Sequence, residues 1–253
     1  MNIPEQGPPP LPGVSSTTNP SQAPSPVPST PKPPLPIQGM GMLIEALLRD
    51  PSRVVGDPAA KGRSRQALAL LLIAALGAMI YGIVVGSFSG GDQYWAAPVK
   101  TGLGMLLTGL ICLPSLYVFG ALGGSKARVQ DILLLVAGLA ALVTILLLGF
   151  APVAWVFSQS TQSVAAMGAL HLLFWLTATL FGLRFLNHGF KQLQGSSNLG
   201  LKVWMLVYVV VGLQMTTALR PFVGVGATFL PVEKKFFLSH WADSLNGKPS
   251  IRP

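Results

Sequence analysis

Residues 131–152 read DILLLVAGLAALVTILLLGFAP, and beyond Asp131 the one polar side chain in that stretch is Thr144. A bilayer's hydrocarbon core is about 30 Å thick, and roughly 20 helical residues rising about 1.5 Å each are needed to cross it. This stretch meets that requirement by itself. Working outward, four further apolar runs of similar length occupy 67–88, 97–121, 165–187 and 201–219. One such run could be an anchor; five joined by short loops predict an all-α, polytopic transmembrane helical bundle of five spans.

The rest of the composition agrees. The 253-residue chain is 51% hydrophobic and 10% charged, where a soluble domain carries about 25% charged residues. The net charge of +9 arises from 17 Lys and Arg that flank the apolar runs rather than forming one dense stripe. That distribution fits a membrane protein and argues against nucleic acid as a partner. Cys112, the sole cysteine, lies within span two, so no disulfide can form within the chain. A polar, Pro-rich stretch follows Met1 where a signal peptide would have a basic and then an apolar region, so no cleavable signal is expected.

Four regions follow. Residues 1–38 hold more than half of the 22 prolines and only two charges, Glu5 and Lys32. Too little apolar surface is present to offset chain entropy, which predicts a disordered tail of polyproline-II character. Pro31 with Pro34, and Pro33 with Pro36, give PxxP spacings that an SH3-like groove binds; a passive tether is the plainer reading. Residues 39–65 contain MGMLIEALLRDPSRVV at 40–55, an amphipathic helix and a basic linker. Leu43, Ile44, Leu47 and Leu48 share one face, Glu45, Arg49 and Asp50 the other, and Pro51 ends or kinks the helix. Its apolar face either rests in the headgroup region or packs on the ends of the spans. Residues 66–220 form the five-span domain. Residues 221–253 form a loop, which could instead dip into the membrane at 221–231, and an interfacial helix on which Phe237, Trp241 and Leu245 share a face.

Orientation follows from the basic residues near the spans. Arg49, Arg53, Lys61, Arg63 and Arg65 precede span one, Lys126 and Arg128 separate spans two and three, and Arg184, Lys191 and Lys202 surround the fourth loop. The first and third loops contain none, although Lys100 lies just inside span two, where it is expected to snorkel outward. The N-terminus is therefore expected in the cytoplasm, the C-terminus outside, and the location in a bacterial inner membrane.

Small residues recur every fourth position in span one at Ala74, Ala78, Gly82 and Gly86, and Gly120 with Gly124 repeats the GxxxG spacing at the end of span two. Such spacing lets a second helix approach closely, within this bundle or between copies. Pro114 interrupts span two and frees the carbonyl near Leu110, with Thr108 and Ser115 close by. His171 is the ionisable side chain best placed inside a span, and Gln214, Thr216 and Thr217 in span five are its expected hydrogen-bond partners. His171, Gln214, Thr217 and Pro114 thus form a possible intramembrane polar site. No HExxH, GxSxG, CxxC, Walker loop or Rossmann fingerprint is present, and His171, His188 and His240 share no metal-binding spacing. Neither catalytic residues nor a metal or other cofactor are expected.

A short helix ending in LLRDPSRVV at 47–55, just before five close-set spans and after an N-terminal region expected in the cytoplasm, resembles the Yip family of small five-span membrane proteins. The likeness covers about residues 40–220 and rests on layout. Eukaryotic members are associated with Rab GTPases and vesicle traffic. Their acidic-aromatic-Gly-Pro signature is absent here, so the resemblance carries over no binding residue. The expected role is a non-enzymatic scaffold or accessory subunit whose partners are the lipid bilayer and other membrane proteins. The alternative is a small transporter or channel using the kinked second span.

Overall fold

The computed structural model describes residues 39–56, 62–193 and 199–219. These residues form α1 (Met40–Arg49), α2 (Pro51–Val55), α3 (Arg63–Ser89), α4 (Gln93–Leu122), α5 (Val129–Ser160), α6 (Val164–Gln192) and α7 (Leu199–Ala218). Five of them, α3 to α7, are long and apolar enough to cross a membrane. The protein is an all-α bundle with five candidate spans. The tail at 1–38 and the segment 221–253, with its expected interfacial helix, lie outside the described residues.

Helices α3 to α6 each extend beyond both ends of the apolar run that predicts them. The 27 residues of α3 extend about 40 Å at roughly 1.5 Å each, more than a hydrocarbon core requires. Backbone groups still need partners in the headgroup region, so the helical ladder continues until turn chemistry stops it. Pro152 marked an expected end, yet α5 continues through it to Ser160. A proline forfeits one ladder bond, and a long apolar helix tolerates that loss. The turn from α3 to α4 is made by Gly90 and Gly91, both at positive φ, where a side chain would strain the backbone.

The ends at which α3, α5 and α7 begin and α4 and α6 finish form the basic end; the opposite end is called here the far end. At the centre stands α5. Of its apolar window 72% is buried, against 17% for α6. It packs against α3 and α6 along most of its length and against α4 less extensively, while α7 lies mainly on α4. Leu134, Leu135, Leu139, Ala141 and Leu147 of α5 are fully enclosed or nearly so, together with Leu70 and Ala74 of α3 and Leu186 of α6. The outer faces carry Leu72, Leu76 and Ile80 of α3, Leu110 and Val118 of α4, Leu173 and Leu180 of α6, and Leu206 of α7, all exposed. In lipid those faces incur no desolvation cost, which is why a chain so apolar on its outside is stable as a bundle.

Close approach depends on glycine at a few contacts. A Cβ added at Gly82 would stand 2.5 Å from the Cα of Pro98, so α3 and α4 meet backbone to backbone there. Gly86 opposes the Gln93 carbonyl in the same interface, and Ala74 and Ala78 are fully buried on the same helix. The small-residue ladder of span one is thus used inside this chain. Gly120 faces the ring of Phe190 on α6 at 3.2 Å from its would-be Cβ. Gly124 requires a correction. It is not a packing residue: it has φ +77° and nothing within 4 Å of a would-be Cβ. The Ser125 amide donates to Gly120 O and the Gly124 amide to Ala121 O, both at 3.0 Å. That pair of bonds is a Schellman stop, which needs a left-handed residue just past the helix, so the second GxxxG match marks a helix end.

At the basic end α1 turns its Leu43, Ala46 and Leu47 onto the protein, while Leu48 stays exposed. The buried face is therefore rotated from the expected Leu43–Ile44–Leu47–Leu48 stripe toward Ala46. Val54 and Val55 of α2 are buried as well. A Cβ at Gly189 of α6 would lie 2.8 Å from Val55 Cγ2, so the missing side chain makes the notch that seats this valine.

Candidate functional site

Three polar constellations sit in or at the ends of the bundle. The first joins the hairpin α1–α2 to the spans. Arg63, the first residue of α3, directs Nη1 to Asp131 Oδ1 at 2.8 Å, with both side chains about 95% buried. Its Nη2 donates to the carbonyl of Val55 and faces that of Gly56 at 3.5 Å. Asp131 reaches back from the first turn of α5 so that Oδ2 accepts from the Arg128 amide at 2.9 Å. Asp131 thereby satisfies a helix-terminal donor, and its charge lies near the positive end of the α5 dipole. Two helix starts and the end of α2 converge on one charge-assisted knot. Sequence reasoning counted Arg63 only as a flanking cation and took Asp131 as the edge of a span. The available signal was an acidic residue three positions into a helix, beside the most apolar run of the chain.

The second constellation lies in the far half. Tyr81 of α3 and His171 of α6 share a hydrogen bond, Oη to Nδ1 at 2.7 Å, with their rings edge to face at 5.6 Å. The expected partners of His171 are therefore corrected: its described hydrogen bond crosses to span one rather than to span five. Both α3 and α6 lie against α5, and the long Tyr81 side chain reaches His171 from α3, while α6 touches α7 only thinly. Thr216 bonds back to Leu213 O at 2.6 Å, Gln214 is part-buried on α7, and the side chain of Thr217 lies outside the described ones. His171 Nε2 is buried without a hydrogen-bond partner. A histidine and a phenol are hydrogen-bonding groups that fix helix positions, and interhelical bonds of this kind contribute about 0.6 kcal/mol on average in membranes.

The third constellation surrounds Pro114. Trp204 of α7 is fully buried and donates its indole N–H to Cys112 O at 2.9 Å and to Ser115 Oγ at 3.0 Å. Ser115 Oγ donates to Cys112 O at 2.8 Å, and Thr108 Oγ1 to Gly104 O at 2.7 Å. The segment of span two around Pro114 is thus a docking point for α7, whose Tyr208 lies one turn on with its ring tilted by 32° at 5.4 Å from the Trp204 ring.

Lys100 differs from expectation. It is 1% exposed rather than reaching outward, because it falls on the inward face of α4 shared with Gly104, Thr108 and Cys112. Among the described residues no group of three His, Cys, Asp or Glu side chains could hold a metal ion. A small hollow at the basic end is lined by Tyr117, Gly120, Ala121, Ser125, Ala127 and Ile132.

No protein-family model, curated protein or solved structure matches this chain.

Proposed function

We propose that this protein is a non-enzymatic scaffold or accessory subunit of a bacterial inner membrane, with its N-terminus in the cytoplasm and its Pro-rich segment available to a partner. The observation that carries this reading is the Arg63–Asp131 knot. Burying two charges costs several kcal/mol per ion, so such a pair adds little net stability and is better explained by the geometry it imposes. Here it fixes the α1–α2 hairpin, through the Val55 carbonyl, to the starts of α3 and α5. Two further features support the reading. Apolar side chains pack around α5, and the Trp204 indole is held against α4 beside Pro114. The layout of a short helix followed by five candidate spans also resembles that of the Yip family.

The test is recovery of the tagged chain from native membrane in mild detergent, beside a version lacking residues 1–38. A partner retained by the full chain and lost from the truncated one is the expected result. A lone chain that conducts solute when reconstituted into vesicles would overturn the proposal in favour of transport. For orientation, a cysteine at Ser160 should be labelled from outside the cell.

A further inference from the structure

We propose that the outer side of α6 around Arg184 is a docking surface for a transmembrane helix of another membrane protein, one that carries an Asp or Glu within its apolar run. Arg184 stands well inside the apolar length of the bundle. Phe185 opposes Gly138 and Gly182 opposes Leu139, so Arg184 is about level with Leu139. That places it about 12 Å along α5 from Asp131, at roughly 1.5 Å per residue. It is exposed, on the same side of α6 as the exposed Leu173, Leu180 and Phe181, and α6 is the least covered of the five candidate spans. A long cation at such a depth commonly bends back toward the headgroups. Arg184 does the opposite: its guanidinium lies over the Phe181 ring, 5.5 Å from the centroid, three residues toward the far end. Helix direction explains this, since side chains lean toward a helix's N-terminus and α6 begins at the far end.

Charge complementarity names the occupant. Among the described residues Arg184 makes no ion pair and no hydrogen bond; its described contact is with the face of a ring. A guanidinium aimed into hydrocarbon calls for an anion at that same depth, and a carboxylate accepts two parallel N–H bonds from it. Phosphates at the basic end lie behind the guanidinium, on the side of the exposed Lys191. A second copy of this chain has no such acid to offer. Asp131 is the one acid within the five apolar runs, and it is buried against Arg63 and the Arg128 amide. The carboxylate therefore comes from a different protein. Such a partner is the kind the accessory-subunit reading calls for, and the inference rests on that reading.

The experiment places the photo-cross-linker p-benzoylphenylalanine at Leu180 of the full chain in native membrane and identifies by mass spectrometry the peptide joined to it. The expected adduct is with one partner whose joined span holds an Asp or Glu. R184Q should lower its yield by about tenfold or more, because a desolvated charge pair loses one member, whereas R184K keeps the charge and should retain most of it. Exchanging the charges, with R184E here and Lys in place of the partner's acid, should restore the yield. The same probe at Leu72, exposed at a similar depth on α3, should not give this adduct. Adducts with lipid or a second copy alone, a joined span without an acid, or a yield unchanged in R184Q would each overturn the proposal. A partner retained by the tagged chain but never joined at Leu180 would overturn this inference and leave the accessory-subunit reading standing; no partner by either route would overturn both. Protection of the Cys112 thiol, buried in the native bundle, shows whether each variant has folded. If R184Q loses that protection, the charge exchange decides.

Discussion

Replacing Asp131 by Asn tests the knot at the basic end most directly. The change keeps the shape of the side chain but removes its charge and one acceptor. Either Arg63 or the Arg128 amide then faces an NH2 group, and the buried guanidinium loses its charged partner while Nη2 keeps the Val55 carbonyl. Removing one partner of a buried pair costs about 3–5 kcal/mol because the remaining charge is uncompensated. The protein can escape that penalty by releasing α1–α2, which lets Arg63 reach water and headgroups. Release requires Val54 and Val55 to leave sites where they are 2% and 1% exposed. The bond after Arg53 is therefore shielded in the native state. If opening is fast relative to cleavage, trypsin cutting there follows the population of the open form. At about 3 kcal/mol, D131N should be cut after Arg53 on the order of a hundredfold faster than wild type. Labelling of Cys112, deep in α4, should change far less. In R63M/D131L, where both charges are gone, the combined effect should fall short of the summed single effects by about 2 kcal/mol. Cleavage of D131N at the wild-type rate would refute the reasoning.

Other expectations follow from single contacts. Gly82→Ala would drive a methyl into the Pro98 backbone, whereas Gly149→Ala meets nothing within 4 Å. The former should lose about 1–3 kcal/mol in detergent unfolding and the latter next to nothing. Tyr81→Phe removes the hydroxyl that meets His171 and should cost about 0.5–1.5 kcal/mol. A cycle with His171→Ala should return most of that as coupling. Trp204→Phe deletes the donor to Cys112 O and Ser115, and should raise the maleimide labelling rate of Cys112 severalfold as α7 loosens on α4.

Much of the bundle was legible in the chain because a hydrocarbon solvent imposes a length and a composition on every span. The run at 131–152, with its lone Thr144, required a membrane helix whatever its neighbours were. The same logic located the other four spans and the amphipathic stretch before them. What the chain could not specify is which faces meet. Apolar periodicity is silent when lipid and protein are equally apolar, so nothing marked α5 as the central helix or turned α1 toward Ala46. Gly120 and Gly124 carry the same spacing as Gly82 and Gly86, yet one pair ends at a left-handed turn and the other lets two backbones touch. Tyr81 pairs with His171 across 90 positions, and Arg63 with Asp131 across 68. Those partnerships were decided by how the helices surround α5 and by side-chain reach, because a buried polar group bonds whatever the fold places within its reach.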